Sequence, residues 1–228
     1  MALTHGKSAR VYAEGYNISA YLSQFTAKVA VKEAEVTTFG YDDSVFIPGQ
    51  RSSNANGGGF FDGADDAIDE ILEDIFGVAD QIFIFLPAGD GFGNLGKAFV
   101  AFEGTYEISS PVSDANKLSL ELKANTHEAV ETLHALGAEV AGDDGDSLDN
   151  DAASISGGAV WVLTTSGTAV TFTVEHSEDE TDWDEISITI PAQTGPAAVR
   201  VEISGTINQY TRIVWDKACT FWAGLCRD

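Results

Sequence analysis

The sequence predicts a mainly β fold (α+β) with one or two short helices: an antiparallel β-sandwich or barrel followed by a small C-terminal β-sandwich. Three observations predict it. Residues 25–36 alternate Phe25, Ala27, Val29 and Val31 against Thr26, Lys28, Ala30 and Lys32, the period of a strand with one buried and one wet face. Residues 64–76 carry the clearest helical period in the chain. After residue 152, short apolar segments recur at roughly 8–12 residue spacing, as in a small sandwich.

The elements follow in order. Residues 10–14 form the first strand, with Gly15 to Asn17 as the turn signal before the strand at 25–36. Residues 52–59, S-S-N-A-N-G-G-G, hold little apolar side chain to offset the entropy of ordering. They are expected as an exposed loop ordered by a neighbouring subunit. Ile68, Ile71, Leu72, Ile75 and Phe76 then fall at i, i+3, i+4, i+7 and i+8, with Asp62 placed as N-cap and Gly77 just past the end. The opposite face bears Asp65, Asp66, Asp69, Glu70, Glu73 and Asp74 without a basic residue. It suits the helix dipole at its start, opposes it at its end, and reads as a solvated face.

Strands are expected at 81–87, 97–108 and 115–124, and a short helix at 125–136 capped by Asn125 or Thr126. The run G-D-D-G-D-S-L-D-N-D at 142–151 breaks all periodicity. It sets the expected division: a first domain at 1–141, an acidic linker at 142–151 and a second domain at 152–228. The second domain has strands at 159–165, 168–176, 182–190, 197–204 and 207–216.

Among 228 residues, 36 acids face 12 Lys and Arg, a formal charge of -24. Binding nucleic acid by phosphate neutralisation needs clustered cations, which this chain lacks. The excess fits solubility, tolerance of high salt, or a passage to which DNA must not stick. No apolar run approaches a membrane span, and residues 1–10 lack a signal-peptide core, so synthesis in the cytoplasm without a membrane anchor is expected. Cys219 and Cys226 lie seven apart. On a continuous strand they would point to opposite faces about 23 Å apart, so a disulfide would need a turn near Ala223 and Gly224, and reduced thiols are expected.

Candidate chemistry is sparse. Gly91, Gly93 and Gly96 match the spacing of a dinucleotide fingerprint, but a strand is expected after them where the pyrophosphate needs a helix N-terminus. His127, Glu131 and His134 would share one helical face, yet Glu131 stands where a zinc-protease motif needs its second His. Asp143 to Asp151 misses the glycine and distal Glu of a calcium loop. Gly6, Lys7 and Ser8 resemble the end of a phosphate loop without its upstream glycine, and no nucleophile elbow occurs. The chain is therefore expected to be no enzyme, with no catalytic, cofactor or metal residue. Trp161, Trp183, Trp215 and Trp222 are expected mostly in the core, with Trp183, between two aspartates, nearest the surface.

Taken in order, H-G-K-x-x-x-V-Y (His5 to Tyr12), G-Y-N-I-S-A-Y-L (Gly15 to Leu22), T-T-F-G, I-P-G and G-F-F-D-G resemble the tail tube, or major tail, proteins of long-tailed viruses. The resemblance continues through L-H-A-L-G-A-E (Leu133 to Glu139), T-V-E-H-S (Thr173 to Ser177) and V-E-I-S-G-T-I-N-Q-Y-T-R (Val201 to Arg212). It implies a virion tail subunit that forms homohexameric rings stacking head to tail into a tube. DNA would slide through an acidic lumen without specific binding. Terminator, tape-measure and tail-tip proteins would be partners, and an outward C-terminal domain would be available to a host surface. The alternative is a binding module, either a capsid decoration protein or a carbohydrate-binding sandwich using Trp183.

Overall fold

The computed structural model describes residues 6–40, 43–65 and 67–228. His5 of the opening motif and Asp66 of the acidic helix face lie outside them. A 3-10 turn at Gly6–Ser8 precedes β1 (Arg10–Ala13), β2 (Tyr16–Asn17), β3 (Leu22–Glu35) and β4 (Phe46–Phe60). Helix α1 (Ile68–Ile75) leads into β5 (Gln81–Leu86), β6 (Leu95–Ser109) and β7 (Lys117–Glu139). The remainder is β8 (Asp143–Asp144), β9 (Leu148–Asp149), β10 (Gly158–Ser166), β11 (Phe172–Ser177), β12 (Asp184–Glu185), β13 (Ala197–Ile203), β14 (Tyr210–Trp215) and β15 (Cys219–Arg227). The fold is mainly β, with one short helix, a large antiparallel sheet and a smaller antiparallel sheet near the C-terminus.

The chain divides into two compact units. The first comprises Met1–Ala20, Gln81–Phe99 and Glu128–Asp228, and the second Tyr21–Asp80 and Val100–His127.

In the first unit the strands run β13-β10-β15-β7-β6-β5-β1-β2, and β12-β11-β14-β8 with β9 on β14 form the smaller sheet. Between the sheets, Phe221 packs against Phe172 and Trp215 at ring-centroid distances of 4.8 and 5.0 Å. His134 stacks flat on the same Phe221 at 4.3 Å. Alternate residues of β10, Val160 and Val162 against Trp161 and Leu163, are all fully buried, so this strand is covered on both faces. Gly15, at φ +93° in the β1–β2 turn, abuts Pro196 and Ala197 so closely that a Cβ would lie 2.3 Å from the Ala197 nitrogen. Glycine is the residue that meets both demands.

In the second unit β3, β4, β7 and β6 lie side by side, and α1 supplies the apolar stripe Ile68, Ile71, Leu72 and Ile75, all buried. The N-cap is Ala67 without a side-chain hydrogen bond. Asp62, expected in that role, instead accepts from the Ala64 amide through its carboxylate and from the Asp69 amide through its carbonyl, bracing the turn before the helix.

Two further expectations meet a different structure. Residues 52–59 belong to strand β4. Their ladder runs between backbones on both sides, to β3 and β7, and does not depend on side-chain composition. Gly57 lies where a Cβ would come 3.1 Å from Leu120 and 3.3 Å from Phe25, so its missing side chain is the space those two fill. Residues 125–136 are strand, part of β7, because β15 pairs with Glu131 to Glu139 through two register irregularities. Those irregularities bury Thr132 and Leu133 in succession and so counterfeit a helical spacing. Beyond these, β15 itself joins the large sheet, completing what the C-terminal pattern left out. Residues 142–151 lie within the first unit, where β8 and β9 both pair with β14.

Candidate assembly surface

The strands expected at residues 25–36 and found at β3 and β4 make a long antiparallel ribbon, in register from Leu22 opposite Gly59 to Glu35 opposite Phe46. Strand β7 supports only its base, from Ser53 opposite Ala124 to Phe60 opposite Lys117. Residues 46–52 of β4 therefore pair with β3 alone, and β3 has no strand on its far side among the described residues.

Opposed residues of an antiparallel pair share a face. Phe25, Ala27, Val29 and Val31 thus line up with Gly57, Ala55, Ser53 and Arg51, and on β7 with Leu120 and Leu122. At the base this face is dry, with Ala55, Leu118, Leu120 and Leu122 all buried. Further out it is wet: Val29 and Val31 are 43 % and 45 % exposed, and the consecutive Phe46 and Ile47, on opposite faces of the ribbon, are 53 % and 51 % exposed. Val36 and Phe39 continue the exposure towards the tip. The alternation seen in the sequence is real, but its apolar side is covered over only part of its length. A two-stranded ribbon in water is at best marginally stable, and one bearing exposed Val, Ile and Phe has apolar area still to bury.

The helix is tied to β6 through the Tyr106 hydroxyl, which donates to Asp69, and through a bridge between Phe76 and Glu103. Glu103 is fully buried and neither carboxylate oxygen finds a hydrogen-bond partner. Burial pushes its carboxyl up to about 8, so at neutral pH it is held protonated. A shallow cleft of about 400 Å³ in this unit is lined by Gln24, Glu107, Lys117 and Ser119 among others, without a convergent set of like groups.

The remaining sequence candidates are accounted for as follows. Gly91 and Gly93 lie in the β5–β6 loop and Gly96 already in β6; the loop is closed by Asn94 donating to the Gly89 carbonyl and by Gly93 donating to the Thr132 carbonyl. His127, Glu131 and His134 are strung along β7 over roughly 23 Å at strand rise and are not brought together. His134 instead meets Glu139 at 3.3 Å. Of the acidic run, Asp144 pairs with Arg212 and Asp149 accepts from Gln209. Among the described residues no cluster of three or more His, Cys, Asp or Glu could hold a metal ion. No helix among them is long and apolar enough to cross a membrane. Cys219 and Cys226 lie on the continuous strand β15 and both are free. Trp161, Trp215 and Trp222 are buried and Trp183 is half-buried, as its flanking aspartates indicated. The Arg212 guanidinium sits 4.3 Å from the centre of its ring, so one stacking face is already taken.

The sequence missed the ribbon because β4 has the composition of a loop. The signal that pointed to it was the strict alternation of β3, which demands a pairing partner.

No protein-family model and no curated protein matches the chain. Several solved structures are similar to it. A chain of the native gene transfer agent virion overlaps 54 % of this chain and 95 % of its own length, at 16 % identity and a TM-score of 0.45. A chain of the SPP1 tail tube overlaps 56 % and 78 %, at 12 % identity and 0.45. The SPP1 Dit protein, described as a hub adsorption apparatus, overlaps 96 % and 99 %, at 8 % identity and 0.42. At such identities and scores these likenesses carry no weight for function.

Proposed function

We propose that this chain is a structural subunit of a viral tail, assembling with copies of itself into six-membered rings that stack as a tube for DNA. The observation that carries the proposal is the β3–β4 ribbon, whose apolar face runs out from under its cover at Val29 and Val31, on a strand that pairs with β4 alone among the described residues. Natural proteins blunt or cover such edges, and a ring of identical subunits covers them by repetition. The ordered motifs from His5 to Gly63 support the particular class, since the ribbon falls among them and helix α1 follows directly. The other tail proteins and a place in the virion tail follow from the same proposal.

Negative-stain microscopy with light scattering on the purified chain, across protein and salt concentration, tests it. Six-fold rings or tubes with a central channel are expected. Rings that never stack would support ring formation and remove the tube; a monomer under every condition would remove both.

A further inference from the structure

Helix α1 is poorly equipped to hold itself together. It has eight residues, Ile68 to Ile75, and an isolated helix is marginal below about 12–15. Its N-cap makes no side-chain hydrogen bond, and its last turn carries Glu73 and Asp74 with no basic residue, against the helix dipole. Packing holds it instead, and its polar ties converge on one stretch of β6. Near its start, Asp69 accepts from the Tyr106 hydroxyl. Past its end, the Gly77 amide donates to the Glu103 carbonyl at 3.2 Å, and Phe76 forms a bridge with Glu103.

The side chain at that second tie is the only buried acid among the described residues, and neither of its oxygens has a hydrogen-bond partner. The titratable groups around it do not supply one. Tyr106 on β6 is engaged by Asp69 and lies within the field of Glu73 as well. Lys123 of β7 lays its stem beside Gly104, and Asp80, beyond the helix, accepts from Asn125 of β7. Burial is what acts on the Glu103 carboxyl. A bare carboxylate in that dry position is costly, and it reaches water only if a neighbouring element moves. Local opening draws on the least stable element, which in this unit is the short helix tied to Glu103 itself.

We infer that Glu103 is a proton-operated latch on α1: the neutral carboxyl keeps the helix docked on β6, and release of its proton to solvent favours a form in which the helix has lifted and its apolar stripe, Ile68, Ile71, Leu72 and Ile75, meets water. Between the ordinary carboxylate range and the raised value of Glu103, the docked form holds one proton that the open form has lost. Opening therefore becomes about ten-fold easier per pH unit in that window and levels off above about 8. The latch works within one chain, so its test does not depend on the assembly proposed above.

Hydrogen exchange followed by mass spectrometry on the full-length chain, with the intrinsic chemical rate divided out, reads the opening of residues 68–77 against that of residues 118–122 in the same unit. From about pH 5 to about pH 8 the parent is expected to lose protection over residues 68–77 by about ten-fold per unit, with the loss at residues 118–122 smaller. Glu103→Gln keeps the shape of the neutral acid without its proton to lose, and is expected to give a flat profile. Glu103→Met removes both oxygens from the dry site and is expected to be flat too, which keeps the test decisive if the glutamine variant does not fold. The inference is overturned if the parent is as flat as the variants, if a folded variant slopes like the parent, or if residues 68–77 and 118–122 lose protection together at every pH. In that last case Glu103 serves the whole unit and not the helix.

Discussion

The first unit exposes few of its large apolar side chains, Leu95, Val140 and Ile155 most of all, whereas the second leaves many more in water. Around Phe221 the first unit gathers Phe172, Trp215 and His134, and β10 is covered on both faces. In the second unit one alternating face passes from the buried Leu120 and Leu122 to Val29 and Val31, nearly half exposed. Under the assembly proposed above, the first unit finds its cover within its own chain and the second in another molecule. Predictions that break or sharpen the contrast follow, from the largest effect to the smallest.

Ending the chain at Asn150 removes β10, β13 and β15, and with them the strand that pairs with Glu131 to Glu139. The first unit is expected to lose its fold, seen as loss of hydrogen-exchange protection at Val130 to Leu133. A fragment that stayed soluble and melted cooperatively would support the domain division expected at residues 142–151.

Trp222→Ala removes a fully buried ring whose indole N–H donates to Thr132 at 3.2 Å. A loss of about 3–5 kcal/mol is expected in denaturant unfolding. A change below about 1 kcal/mol would mean that the first unit is not the self-sufficient one.

Glu103→Gln probes the buried acid under α1. Its folded pKa is raised, to about 8, above the ordinary carboxylate range near 4.3, so the folded state holds a proton that the unfolded state has released. Its contribution to stability is therefore present at low pH, declines as pH rises between those values, and is lost above about 8. The glutamine variant should lack this decline, gaining on the parent by of order a few kcal/mol at alkaline pH. Parallel pH profiles for the two proteins would count against a protonated Glu103. Trp183→Ala should cost only about 1 kcal/mol, the scale of the lost stacking with Arg212.

What the sequence disclosed follows a physical division. Strands with clean alternation, such as residues 118–122, and the helix with its i, i+3, i+4 stripe were legible because burial imposes a period. Strand β4 was not, because its place is set by backbone pairing on both sides and its glycines leave room for Phe25 and Leu120. The C-terminal half of β7 was misread as helix because register irregularities bury consecutive residues. At the candidate surface, the apolar period of β3 was visible, but that its outer half lacks cover is a property of the fold.

The smallest effect on folding should accompany the largest effect on assembly. Val29→Ser with Val31→Ser alters exposed positions, so the stability of the single chain should move by no more than about 0.5 kcal/mol. Sedimentation velocity of the parent and this double variant, over the same range of protein and salt, is the most direct test that the ribbon is the self-assembly surface. Large closed species for the parent and a monomer for the variant are the predicted result; a parent that stays monomeric throughout, or a variant that assembles equally well, would contradict it.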